Sequence, residues 1–314
     1  MSLLLNLAYG LGLSIILVKA AELLIKSSSR LAHHFKVSEY TISFLVIAFA
    51  TSLPELIVGI VSALDKNTAL SYGNVLGSNI ADLTIILAIP VFLGGAIQTK
   101  EILKNKDVYF TVFFGIIPLL LLADGAISRL DGIILVCAYI FYLFIVLKRA
   151  NTLENVLIKL NHTNAKKDFV IFAFSICLLL FSADMLVKVA EAISLLAKIP
   201  LILVGLTVTA LGTSLPELAF GIKAVKSHHK GEVLGNVIGS VIANSTLVLG
   251  VTAIINPIKR YEIVGITSIG FLLITLLLFL LFSISNKAIT RKEASLLVIL
   301  YLAFVLVEKS LAKI

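Results

Sequence analysis

The sequence predicts an all-α integral membrane protein of ten transmembrane helices, arranged as two inverted five-helix repeats. Three observations predict it. The chain of 314 residues is 59% hydrophobic, 14% charged and free of tryptophan, with a mean hydropathy of +1.08, too apolar for an ordinary soluble surface. Ten apolar stretches can be read along it, each near the roughly 20 helical residues needed to cross a bilayer. Finally, the polar words ATSLPEL (50–56) and GNVLGSNIADLT (73–84) return 162 residues later as GTSLPEL (212–218) and GNVIGSVIANST (235–246), with no insertion between Thr51/Thr213 and Thr84/Thr246.

In chain order the predicted spans are about 4–25, 40–63, 72–97, 108–123 and 130–147, then 169–187, 200–222, 233–256, 261–284 and 293–308. The first lacks a basic start and a small-residue cleavage site, so it reads as a mature helix and not a signal peptide. In the second, Pro54 cannot donate to the carbonyl of Ala50 and its ring crowds that turn, so the helix should break there. Thr51 and Ser52, four and three residues before Glu55, then share the carboxylate's face. The third span carries Asn74, Ser78 and Asp82 at spacing four along one face, with Gly73 and Gly77 leaving room for a neighbouring backbone. The seventh and eighth spans repeat these arrangements with Thr213, Ser214, Pro216 and Glu217, then Asn236, Ser240 and Asn244 beside Gly235 and Gly239. In the first and sixth spans, Glu22 with Lys26 aligns with Asp184 and Lys188, each read as a local ion pair at spacing four. Cys137 and Cys177 read as small buried hydrophobes, and two such cysteines suggest neither a disulfide nor a zinc framework.

Five spans per half is an odd number, so the second copy must enter the membrane from the opposite face. Residues 1–147 form the first repeat, 148–168 a polar and basic linker, and 169–314 the second repeat. Lysines and arginines after the odd-numbered spans number 17, against 8 on the other side including both termini. The positive-inside bias makes the first side cytoplasmic and places both termini outside a cell membrane. The net charge of +8 is spread over short loops and forms no patch with interleaved aromatics, which argues against a nucleic-acid partner. His33–His34 and His228–His229 read as solvated residues of cytoplasmic loops.

Inverted repeats mark a recurring transporter architecture with its binding site at the midplane, where interrupted helices of both halves meet. The repeated words offer oxygen ligands only: carboxylates, hydroxyls, amides and freed carbonyls. Such sets suit hard cations, Ca²⁺ before Mg²⁺, with Na⁺ as a competitor of similar size. Three buried carboxylates close together repel one another and must be neutralised by cations or protons. A lone TSLPE would be a kink device and a lone GNxxGS a packing stripe; two copies of both, in register and with their acids, argue for a site.

These paired words resemble the α-repeats of the cation/calcium antiporter superfamily, in particular the compact prokaryotic sodium/calcium exchangers. The resemblance covers essentially the whole chain. It implies an ion site built from Thr51, Ser52, Glu55, Ser78 and Asp82 of the first half and Thr213, Ser214, Glu217, Ser240 and Asn244 of the second, completed by the carbonyls of Ala48 and Ala210. It implies a secondary active antiporter, not an enzyme, that exports Ca²⁺ against Na⁺ by alternating access. No cofactor and no obligatory protein partner is implied; the partners are Ca²⁺, Na⁺ and the lipid bilayer. Roughly three sodium ions would replace one calcium, with the first and sixth helices sliding over a more rigid remainder. Two departures stand out. The first repeat reads ATS where the family has GTS, and Asp82 precedes Asn244 where the compact exchangers place asparagine first and aspartate second. A proton/calcium antiporter and a passive cation channel are the alternatives, and a membrane hydrolase using Glu55 and Glu217 lacks a nucleophile or metal.

Overall fold

A computed structural model describes residues 3–34, 52–99, 105–150, 165–226, 230–259, 263–285 and 288–311. Their helices are α1 (Leu3–His34), α2 (Leu53–Leu64), α3 (Thr68–Gly94), α4 (Asn105–Leu121), α5 (Arg129–Ala150), α6 (Ala165–Ala197), α7 (Leu201–Lys226), α8 (Lys230–Ile255), α9 (Ile263–Ser285) and α10 (Arg291–Leu311). Nine are long and apolar enough to cross a membrane, α2 being the shorter tenth among the described residues. The apolar stretches locate the helices but not their ends. Helix α1 runs to His34, past the expected end near residue 25, so His33 and His34 lie on a helix and not in a loop. His228 and His229 lie outside the described residues.

The 162-residue offset holds in three dimensions. Leu3 and Ala165 open α1 and α6, Thr68 and Lys230 open α3 and α8, and Arg129 and Arg291 open α5 and α10. Two short antiparallel ladders join the halves. Ile97–Gln98 (β1), after α3, pairs with Ala288–Ile289 (β4), before α10; Ala126–Ile127 (β2), before α5, pairs with Ile258–Lys259 (β3), after α8. Each ladder takes one strand from each repeat, which satisfies backbone groups at the ends of the bundle.

Helices α3 and α8 lie at the centre, and the glycines of α3 explain how closely α7 approaches it; against expectation, a Cβ on Gly235 or Gly239 of α8 would meet nothing within 4 Å among the described residues. A Cβ on Gly73 would stand 2.2 Å from the carbonyl oxygen of Ile202, and one on Gly77 would stand 2.2 Å from that of Leu206. Gly205 of α7 returns the fit, with Leu70 O at 2.5 Å. Backbone thus meets backbone where α3 crosses α7, as small residues allow in membrane bundles.

Helices α1 and α6 pack closely as a pair. Leu13, Leu17 and Ala20 meet Leu179, Ala183, Leu186, Val187 and Ala190 in a second apolar cluster, which also takes in Val58 of α2, Leu70 of α3 and Val204 of α7. Arg30 Nε donates to Asp168 Oδ1 at 2.6 Å, tying the C-terminal end of α1 to the N-terminal end of α6. The expected Asp184–Lys188 pair is present at 2.7 Å. Glu22 departs from expectation: it pairs with Lys19, three residues before it, at 3.1 Å instead of with Lys26. The cysteines also depart, since Cys137 and Cys177 are exposed. A thiol is small and apolar enough to face lipid as readily as a protein core.

Candidate cation-binding site

The site begins with two helix breaks. In α7 the helix stops after Thr213; Ser214 leaves helical geometry with ψ near 6°, and a new helix starts at Leu215. In the first half Ser52 takes the same conformation, with ψ of 4°, before α2 starts at Leu53. The prolines therefore sit in the first turn of the second half-helix, where their missing N–H is no loss, and the break falls two residues before each of them. This arrangement puts Glu55 and Glu217 in the first turn of their half-helices, where the exposed N–H groups and the helix dipole favour negative charge. The half-helix ending at Thr213 turns its terminal carbonyls toward the same region, and Pro216 has no N–H to satisfy Gly212.

Each glutamate meets a serine of the following helix. Ser78 Oγ donates to Glu55 Oε1 at 3.4 Å, and Ser240 Oγ donates to Glu217 Oε1 at 3.1 Å. The two pairs are equivalent under the 162-residue offset. The halves then interlock, because Ser78 Oγ also lies 3.5 Å from Ala210 O and 3.5 Å from Thr213 Oγ1. Thr213 Oγ1 is 3.2 Å from Asn74 Oδ1 and 3.3 Å from Ala210 O. Asp82 and Asn244 open five-residue π-helical segments, Asp82–Ile86 and Asn244–Val248. A third π segment, Gly205–Thr209, leads into the α7 break. Widened turns of this kind occur frequently at functional sites.

Ser52, Glu55, Ser78, Asp82, Ala210, Thr213, Ser214, Glu217, Ser240 and Asn244 are all buried. Ala48 and Thr51 lie outside the described residues. Among the described residues, half of the buried side-chain polar atoms without a hydrogen-bond partner gather here: Ser52 Oγ, Glu55 Oε2, both oxygens of Asp82, Ser214 Oγ, Glu217 Oε2 and both amide atoms of Asn244. Thr209 Oγ1 belongs to the same class; nothing in the repeated words pointed to it, since the position 162 residues earlier is Ile47.

Unpaired polar atoms in a membrane interior are expensive, and so many in one place describe a receptacle for cations. Glu55 and Asp82 repel each other, and Glu217 repels both. Among the described residues no three His, Cys, Asp or Glu side chains converge into a metal-chelating cluster. The acids are separated by hydroxyls and amides, so a cation here would take a mixed set of oxygens and not a cage of carboxylates.

The inverted bundle with interrupted helices around a buried cluster of oxygens defines a secondary transporter of hard cations, not an enzyme. Residues 5–148 and 167–308 match the model of the sodium/calcium exchanger protein family, and the chain belongs to that family. It is 31% identical over 302 residues to the uncharacterized membrane protein MJ0091 of Methanocaldococcus jannaschii, covering 96% of this chain and 97% of the relative. The sodium/calcium exchanger MaX1 of Methanosarcina acetivorans is 27% identical, with 93% and 95% covered. A solved structure of the sodium-calcium exchanger NCX_Mj, soaked with 10 mM Na⁺ and 10 mM Sr²⁺, superposes with a TM-score of 0.65 at 29% identity, over 95% of this chain and 97% of that one.

Proposed function

We propose that this chain exports calcium from the cytoplasm in exchange for entering sodium, at one midplane site that the two ions share. The observation that carries the reading is the matched pair of serine–glutamate contacts, Ser78–Glu55 and Ser240–Glu217, set at equivalent helix breaks of the two repeats. Glu55 and Glu217 supply the charge for a divalent ion. Thr213 and the carbonyl of Ala210, with Thr51 and Ala48 as their counterparts, supply further oxygens. Asp82 brings a third acid, so that several sodium ions can replace calcium with little net charge left in the membrane. Helices α1 and α6, held to each other by their facing apolar residues and the Arg30–Asp168 tie, slide as a unit across the remainder and expose the site to each side in turn.

The excess of basic residues after the odd-numbered helices supports a cytoplasmic location for residues 148–168 and an outside location for both termini of a cell-membrane protein. Residues 1–147 and 169–314 serve as the two repeats.

Proteoliposomes loaded with sodium test the exchange directly. Dilution into sodium-free buffer should drive ⁴⁵Ca²⁺ uptake, while a pH gradient at zero sodium should not. Uptake driven by the pH gradient alone would make the protein a proton/calcium exchanger, and calcium flux without any counter-ion would make it a channel.

A further inference from the structure

One hydrogen bond beside the site has no counterpart across the pseudo-two-fold. Asn79 Nδ2 of α3 donates to Ser245 Oγ of α8 at 2.8 Å, joining the two repeats, and both side chains are 1% exposed. The positions equivalent under the 162-residue offset hold Val241 and Leu83, both fully buried and unable to make such a bond. Asn79 lies in the last α-helical turn before the Asp82 π segment. Ser245 follows Asn244 inside the other π segment. The bond therefore spans the two widened turns from which Asp82 and Asn244 project.

Asp82 and Asn244 need such support. Within 3.5 Å neither side chain has a hydrogen-bond partner among the described residues, Ser214 of the opposite repeat acting on Asp82 only at longer range, whereas Glu55 and Glu217 each have a serine. A π turn interrupts the regular ladder of the helix, so the direction of a side chain leaving it depends on what holds the turn. The acid and the bridging bond both break the symmetry of the repeats: Asp82 stands opposite Asn244, and Asn79 stands opposite Val241.

We propose that Asn79 and Ser245 are positioning residues that aim Asp82 at the cation site and so set the affinity for sodium more than that for calcium. The proposal rests on the exchange reading above. Calcium is held by the two glutamates, which their own serines orient, while loading of several sodium ions requires the third acid. A second cross-repeat bond supplies the comparison: Ser71 Oγ and Thr252 Oγ1 are 2.9 Å apart, equally buried, and their counterparts are Val233 and Pro90. Ser71 precedes the polar face of α3 and is no part of the ligand set, so its loss measures what a buried bond between α3 and α8 contributes to stability alone.

The test uses the purified full-length protein in detergent and reads the sodium and calcium concentrations that half-saturate its thermal stabilisation, which needs no gradient. Asn79→Leu and Ser245→Ala should each raise the sodium value by about three- to tenfold, the effect of one net hydrogen bond. The calcium value should stay within about twofold, and the Asn79→Leu/Ser245→Ala double variant should be no worse than either single, since both remove one interaction. Ser245→Thr, which keeps the hydroxyl, should retain the wild-type sodium value. Ser71→Ala should lower the melting temperature and move neither ion's value. Equal shifts for both ions, multiplying effects in the double variant, a lowered melting temperature with an unchanged sodium value, or a wild-type protein indifferent to sodium would each overturn the proposal. If wild-type vesicles fail to couple the two ions, the exchange reading fails instead, and the binding comparison still decides the role of the bond.

Discussion

Replacing Gly77 by alanine should damage the ion site from behind, through the helix that carries it. The added methyl would lie 2.2 Å from Leu206 O and 2.7 Å from the Cβ of Ala210. Backbone atoms of α7 cannot swing aside as a long side chain can. To reach the 3.4 Å at which ordinary contact begins, α3 and α7 must part by about 1 Å. Overpacking of this kind costs about 1–3 kcal/mol. The displacement also carries Ala210 and Thr213 away from Ser78 and Asn74, which they meet at 3.2–3.5 Å. Calcium ligands sit at about 2.3–2.6 Å, so a 1 Å shift removes an oxygen from the shell. The expected result is a melting temperature lower by a few degrees and a calcium affinity at least about tenfold weaker, or roughly 1.4 kcal/mol. Thermal unfolding in detergent and ⁴⁵Ca²⁺ binding measure the two effects. Gly270→Ala is the control, because a Cβ there meets nothing within 4 Å among the described residues and alanine is the better helix former by up to about 1 kcal/mol. Wild-type stability and affinity in Gly77→Ala would refute the close-packed crossing as the support of the site.

Glu55→Gln and Glu217→Gln should each abolish calcium exchange while the protein remains folded, because each keeps size and hydrogen bonding but removes a charge from a divalent site; a melting curve beside the flux assay separates this from unfolding. Asp82→Asn should weaken sodium-driven exchange strongly, and adding Asn244→Asp should restore much of it if an acid is needed on either α3 or α8; a double variant no better than the single would show that the side matters. A cysteine placed between residues 151 and 164, in a background lacking Cys137 and Cys177, should react with an impermeant thiol reagent only from the cytoplasmic side, and labelling of intact cells would reverse the orientation.

The repeated words made most of this architecture legible, because a duplication in register fixes which residues must be equivalent whatever their exact geometry. The serine–glutamate contacts follow that logic: both pairs are 23 residues apart in sequence. Three features were beyond it. The helix breaks fall at Ser52 and Ser214 and not at the prolines, since a proline is comfortable within a first turn. The π segments that Asp82 and Asn244 open are one-turn departures that apolar helical periodicity does not register. The Asn79–Ser245 bond joins residues 166 positions apart whose counterparts are apolar, so the comparison of repeats that exposed the site also hid the bond. Glu22 meets Lys19 and not Lys26; residues three and four apart are both neighbours on a helix, so spacing alone does not choose between them.

The shared site is the central claim, and equilibrium ⁴⁵Ca²⁺ binding to the purified protein across a sodium titration tests it most directly. Sodium should raise the apparent calcium Kd without reaching a plateau, and more steeply than one ion for one, because several sodium ions fill the oxygens that one calcium vacates. A Kd that levels off as sodium rises, or that ignores sodium altogether, would place the two ions at separate sites and contradict the account.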